Sequence, residues 1–196
     1  MTTLVFFTLA YLVVTVAIGL YAAKFVSNSK DYLVAGRNLP LYMNVATVFA
    51  TWFGAETVLS VSATFVQDGL GGIPADPFGA TFCLVFVALF FARAFYRLDL
   101  LTIGDFYKKR YGKGVEVLTS LAVTLSYLGW TSAQLTALGI VFNALSQGAI
   151  SLDQGIIIGA VIVLIYTTFG GMWAVALTDL FQSFVIVIGL FYVAYL

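Results

Sequence analysis

The sequence predicts an all-α integral membrane protein with six transmembrane helices, and three observations lead there. Hydrophobic residues make up 62% of the 196 residues and charged residues only 9%, with a mean hydropathy of +1.04, whereas a soluble domain carries about a quarter charged residues. Several apolar runs approach the ~20 residues that a helix needs to cross ~30 Å of hydrocarbon. The alternating pattern of a membrane β-barrel is absent.

Taken in order, Leu4 to Ala23 lacks the basic leader of a signal peptide and is long enough to span, so it reads as a retained first helix. A polar segment with Lys24, Lys30 and Arg37 follows, and Pro40 precedes the second span, about Leu41 to Val66. Asp68, Gly69, Gly71, Gly72, Pro74 and Asp76 then mark a glycine-rich acidic turn. The third span, about Pro77 to Tyr96, ends in Arg93 and Arg97. Beyond it Ile103 to Tyr111 reads as a short interfacial helix anchored by Phe106 and Tyr107. The fourth span, about Val115 to Leu145, exceeds the bilayer thickness, which permits tilt. A short loop, Gln147 to Gln154, leads to a fifth span, Gly155 to Phe169. Gly170 and Gly171 separate it from a sixth that begins near Trp173 and runs to the last residue.

In this threading all nine basic residues fall on one side, which by the positive-inside rule is cytoplasmic and places the N-terminus outside. Histidine is absent and Cys83 is the one cysteine, so a disulfide within the chain and a His/Cys metal site are excluded, while oxygen-ligand cation sites are not. No nucleophile with an adjacent base is present either, so the chain does not read as an enzyme. Nothing suggests nucleic acid; the partners implied are the lipid bilayer and a small solute.

The second span carries the chemistry. It reads Phe-Ala-Thr-Trp-Phe-Gly-Ala-Glu-Thr-Val-Leu-Ser-Val-Ser from Phe49 to Ser62, and an acidic side chain at the centre of a spanning helix costs roughly 2.5 to 3.5 kcal/mol on insertion scales. Gly54, with Thr51 and Thr57 competing for backbone hydrogen bonds, makes local unwinding the expectation. Close helix packing is the other use of such a glycine. After a break at Gly54, the positive end of the new half-helix stabilises Glu56 in its first turn. The unwound carbonyls, best supplied by Ala50 and Phe53, can ligate a hard cation such as sodium. Glu56 itself has three readings: cap of the half-helix, counter-ion to a cationic solute, or proton carrier.

Trp52 and Trp130 lie away from the headgroup levels where tryptophan ordinarily sits. Both suit apolar packing; both also suit an ammonium group by cation–π attraction, worth ~2 kcal/mol when desolvated. Tyr127 and Gln134, one turn either side of Trp130, share its face. Asp179, one turn into the sixth span, is either an interfacial carboxylate wetted by headgroup water or a polar lining of an inner release path.

Four stretches give the chain a resemblance: Gly36-Arg-Asn-Leu-Pro40, Ala50-Thr-Trp-Phe-Gly-Ala-Glu56, Thr102-Ile-Gly-Asp-Phe-Tyr-Lys-Lys-Arg-Tyr-Gly112, and Tyr166-Thr-Thr-Phe-Gly-Gly-Met-Trp-Ala-Val-Ala-Leu-Thr-Asp-Leu-Phe-Gln182. In these the chain resembles the N-terminal part of the sodium:solute symporter family. The resemblance implies a leucine-transporter type of fold, with residues 4–23 as the leading helix and 41–196 as the first of two inverted five-helix repeats, in a single transmembrane domain. The second repeat is absent from the sequence, which points to truncation, so a second repeat or another copy of the chain is an implied partner.

By the same resemblance Ala50 and Phe53 give carbonyls to sodium, Glu56 and Thr57 face the substrate region, and Asp179 belongs to the inner sodium route. Trp52 and Trp130 match positions of the choline-transporting branch. Two positions depart from that branch: Glu56 stands at a glycine-like position, and Ala80 where a tyrosine is expected. Proline-like amino acids and organic acids remain competing substrates. The expected function is sodium-coupled symport of a small polar solute across the plasma membrane, as the N-terminal half of a symporter, with sodium as coupling ion and no other cofactor. The alternative is a nontransporting remnant or interaction module.

Overall fold

The computed structural model describes residues 2–196, and among them the regular structure is helical throughout. Nine α-helices follow in order: α1 (Thr2–Ala22), α2 (Ser29–Val34), α3 (Leu41–Trp52), α4 (Ser62–Asp68), α5 (Ala80–Phe86), α6 (Ala92–Arg97), α7 (Ile103–Tyr111), α8 (Lys113–Leu145) and α9 (Leu152–Tyr195). Wider π-helical turns, Glu56–Val61 and Val87–Phe91, lead into α4 and α6, while the segment Pro74–Gly79, kinked at the extended Asp76, leads into α5.

By length and apolarity, Thr3–Phe25, Pro74–Arg97 and Leu152–Tyr195 are long enough to cross a membrane. A fourth joins them if Leu41–Trp52 and Glu56–Gly72 count as one broken span. The 33 residues of α8 are more than a bilayer requires, but Thr, Ser and Gln side chains from Thr119 to Thr136 keep it out of that set. The 44 residues of α9 contain helix enough for about 66 Å at 1.5 Å per residue, twice the hydrocarbon thickness, but not in one straight piece. Its regular path is interrupted at Gly171, with φ 49° and ψ −140°, so the Gly170–Gly171 boundary expected from sequence is a real break. The expected count of six crossings goes beyond what length and apolarity establish.

The chain divides into two compact units. One runs to Gly54 and includes Leu135–Leu196; the other is Ala55–Gln134. In the first, small residues let backbones approach, as they do where membrane helices meet. A Cβ on Gly19 of α1 would come within 2.6 Å of the Tyr166 Cβ on α9, and one on Gly170 within 2.8 Å of the Gly19 carbonyl oxygen. The end of α8 folds back on the start of α9 in the same way, since a Cβ on Gly155 would sit 2.9 Å from the Gly139 carbonyl oxygen. The connecting turn is closed by Asn143, whose Nδ2 donates to the Ile150 carbonyl at 2.7 Å. Ser151 and Gln154 then cap α9 reciprocally.

Before α3, the Asn28 side chain caps α2 by accepting from the Asp31 N–H at 2.9 Å. The Tyr32 hydroxyl reaches α9 and donates to the Thr167 carbonyl at 3.2 Å. This contact seats α2 against the Gly171 break, and Pro40 then opens α3.

In the second unit α7 spans Ile103–Tyr111, the bounds expected from sequence. Its start is fixed by a capping box between Thr102 and Asp105, and Gly112, with φ 91°, stops it. Backbone and hydroxyl donors of Thr102, with the Leu101 N–H, hold the Asp105 carboxyl below the usual carboxylate range. Because the folded-state value is depressed, the cap stabilises α7 fully above the unfolded value and loses that contribution as pH falls through the folded one. Hydrogen exchange of the 103–111 amides, corrected for the pH dependence of intrinsic exchange, is expected to quicken over that acid window. Thr102→Ala should quicken it at neutral pH, by about 1 kcal/mol of protection.

Candidate functional site

In the first unit, α3 ends where the sequence places the interruption. The Phe53 N–H makes the last helical bond, to the Phe49 carbonyl at 2.8 Å, and Phe53 then leaves the helix at φ −86°, ψ 68°. The last-turn carbonyls, Ala50 among them, are thereby left without the next turn's N–H groups. One turn earlier the Thr51 hydroxyl donates to the Thr47 carbonyl at 2.8 Å, the competition with the backbone expected near a weakened helix. The Phe49 and Phe53 rings stack at 5.4 Å on one side of this end. Trp52 is 45% exposed.

The same face of α3 meets the second half of α9. Ser183 donates to the Ala46 carbonyl at 3.3 Å. Asp179, one turn before it, is half-buried beside Thr47. The Thr47 side chain is 9% exposed, and its hydroxyl lies close to the carboxylate but outside hydrogen-bond geometry, with no partner among the described residues. Tyr166 lies within electrostatic reach of both Asp179 and Tyr11. Tyr11, on α1, stacks on Phe181 at 5.8 Å and sits beside Thr15 and Gln182. Asp179 thus belongs to a polar cluster inside an apolar helix junction, next to a hydroxyl with an unused lone pair and proton.

The chemistry of this cluster is that of hard oxygen donors. A carboxylate, hydroxyls and carbonyls are the hard oxygen donors that alkali and alkaline-earth ions take. Of the expected residues, Ala50, Trp52, Phe53 and Asp179 belong to this unit together with Gly54. Sequence reasoning missed Tyr11, Thr47 and Ser183. Hydroxyls one turn apart at Thr47 and Thr51, and one turn from Asp179 to Ser183, were the available signal.

The other expected residues belong to the second unit. Helical backbone resumes at Ala55, and Glu56 lies in the first turn of the π-helical segment Glu56–Val61, as expected for a carboxylate at a half-helix start. Such wide turns recur at functional positions. Glu56 is exposed, and the Thr57 hydroxyl donates to Asp76 Oδ2 at 3.1 Å. On α8, Trp130 is 43% exposed and meets Tyr127 edge-on at 6.1 Å. Gln134, one turn on, is half-buried.

Comparison with known proteins extends this picture. The profile of the sodium:solute symporter family matches residues 32–196. The chain is 30% identical over 189 residues to high-affinity choline transporter 1 of Drosophila melanogaster, covering 95% of this chain and 30% of that protein. It is 29% identical over 181 residues to the high affinity choline transporter 1 of Homo sapiens, covering 88% and 31%. It is 26% identical over 190 residues to the sodium/glucose cotransporter of Vibrio parahaemolyticus, covering 95% and 35%. The chain therefore spans about a third of the length of the curated relatives it matches. No solved structure matches it.

Proposed function

Since the chain belongs to the sodium:solute symporter family, we propose that it performs sodium-coupled secondary active symport of a small polar solute as the N-terminal part of a longer transporter. The observation that carries this reading is the end of α3 at Trp52, followed by a helical restart at Ala55. A discontinuous helix at membrane depth is tolerated where its freed backbone lines a cavity or binds an ion.

In this reading sodium takes carbonyls of Ala50 and Phe53, and Asp179 lines its inner route. Gly54 provides the break, while Trp52, Glu56, Thr57, Trp130 and Gln134 are the solute-contacting residues. Six crossings result when α8 is counted and α9 is divided at Gly171. The fold is then a leading helix followed by the first repeat of the leucine-transporter type, with the N-terminus outside the plasma membrane. A second repeat, or another copy, supplies the remaining sodium ligands.

The substrate is a choline-like quaternary ammonium. Supporting this are the two exposed tryptophans and the choline transporters among the relatives. The test is inhibition of uptake by choline in a chain extended to the relatives' length. Trp52→Ala is expected to raise the inhibitory choline concentration about tenfold to thirtyfold, the equivalent of a desolvated cation–π contact. Inhibition by proline or an organic acid instead of choline would replace the substrate, and failure of the extended chain to take up any solute would favour a nontransporting module.

A further inference from the structure

Six basic residues, Arg93, Arg97, Lys108, Lys109, Arg110 and Lys113, lie between positions 93 and 116 against three acids, Asp99, Asp105 and Glu116. All six are exposed, and all belong to the second unit. The apolar helical run Pro74–Arg97, long enough to cross a membrane, ends at the first pair. We propose that the surface formed by the end of α6, the last turn of α7 and the first residue of α8 binds anionic phospholipid headgroups of the adjoining leaflet.

The geometry gathers these cations rather than leaving them on a loose loop. Lys109 Nζ donates to the Leu98 carbonyl at 3.1 Å, which ties the last turn of α7 to the end of α6. Lys113 Nζ lies 2.9 Å and Lys108 Nζ 3.9 Å from Glu116 Oε2, so both ammonium groups converge on the start of α8 while their side chains stay 71% and 53% exposed. The Thr102–Asp105 cap fixes where α7 begins and so which way Lys108 to Arg110 project. Along the same short helix, Phe106 meets Phe95 edge-on at 5.4 Å, and Tyr107 stacks on Tyr111 at 6.1 Å. Aromatic rings beside a cluster of lysine and arginine at the end of a span form the headgroup-level combination: the rings occupy the interface and the cations meet its negative potential. A soluble anion would use the charge but not the rings, and for that reason the lipid is the ligand.

The test reconstitutes the full chain in phosphatidylcholine vesicles and compares the bound fractions of spin-labelled phosphatidylserine and phosphatidylcholine. A preference for phosphatidylserine that weakens with added salt is expected. Changing Lys108, Arg110 and Lys113 together to glutamine should lower that preference at least fivefold, roughly the effect of one headgroup-level charge. Lys108→Arg with Lys113→Arg should keep it, which separates lost charge from lost folding. Lys24→Gln with Lys30→Gln should also keep it. Three results would overturn the proposal: unchanged preference in the glutamine variant, equal loss in the Lys24/Lys30 variant, or displacement of the probe by inorganic phosphate beyond that caused by chloride at matched ionic strength.

Discussion

Gly171→Ala is expected to destabilise the fold by about 3 kcal/mol or more, enough to lower the unfolding temperature by several degrees in detergent. Two costs add. The φ of 49° with ψ of −140° is a conformation that only glycine adopts without strain of roughly 1 to 3 kcal/mol. A Cβ there would also lie 2.5 Å from the Tyr32 carbonyl oxygen and 2.7 Å from its ring. The Tyr32 ring is not free to yield, because its hydroxyl is bonded to the Thr167 carbonyl. A Cβ on Gly170 would meet the Gly19 carbonyl oxygen at 2.8 Å, so Gly170→Ala should act in the same direction by separating α1 from α9. Gly189, further along α9, has open space around it, and Gly189→Ala should be neutral or stabilising by up to about 1 kcal/mol. Thermal unfolding of the three variants side by side checks the contrast.

Asp179→Asn is expected to raise the sodium concentration for half-maximal uptake at least tenfold in a chain extended to the relatives' length, with a smaller effect on the maximal rate. The substitution keeps the volume but removes the carboxylate beside the partnerless Thr47 hydroxyl. A tenfold change corresponds to about 1.4 kcal/mol, well within the worth of one charge–cation contact away from bulk water. Thr47→Val should move the sodium requirement in the same direction by less. It should not destabilise the fold, since it removes a buried hydroxyl that has no partner to lose. Variants that lose uptake at every sodium concentration, with no shift in the midpoint, would assign Asp179 to folding instead.

Much of the chain's local organisation was legible because apolar runs and glycines act through the chain itself. The break before Glu56, the interfacial helix Ile103–Tyr111 and the Gly171 interruption each follow from residues within a few positions. The site was only half legible. Asp179 could be named from its cost in an apolar helix, but its neighbours Thr47 and Tyr11 lie more than 130 residues earlier in the sequence. Helical periodicity says which face a residue occupies and not which helix arrives there. The crossing count was the weakest inference, because α8 carries enough hydroxyls to be ambiguous and α9 is twice the needed length.

Coupling to sodium is the central claim, and a gradient experiment tests it most directly. Vesicles carrying the chain extended to the relatives' length are loaded with potassium, diluted into sodium or potassium, and assayed for labelled choline. Transient accumulation above equilibrium under the inward sodium gradient, collapsing when potassium replaces sodium outside, is the predicted result. Choline entry of equal rate and extent under both conditions would contradict the account.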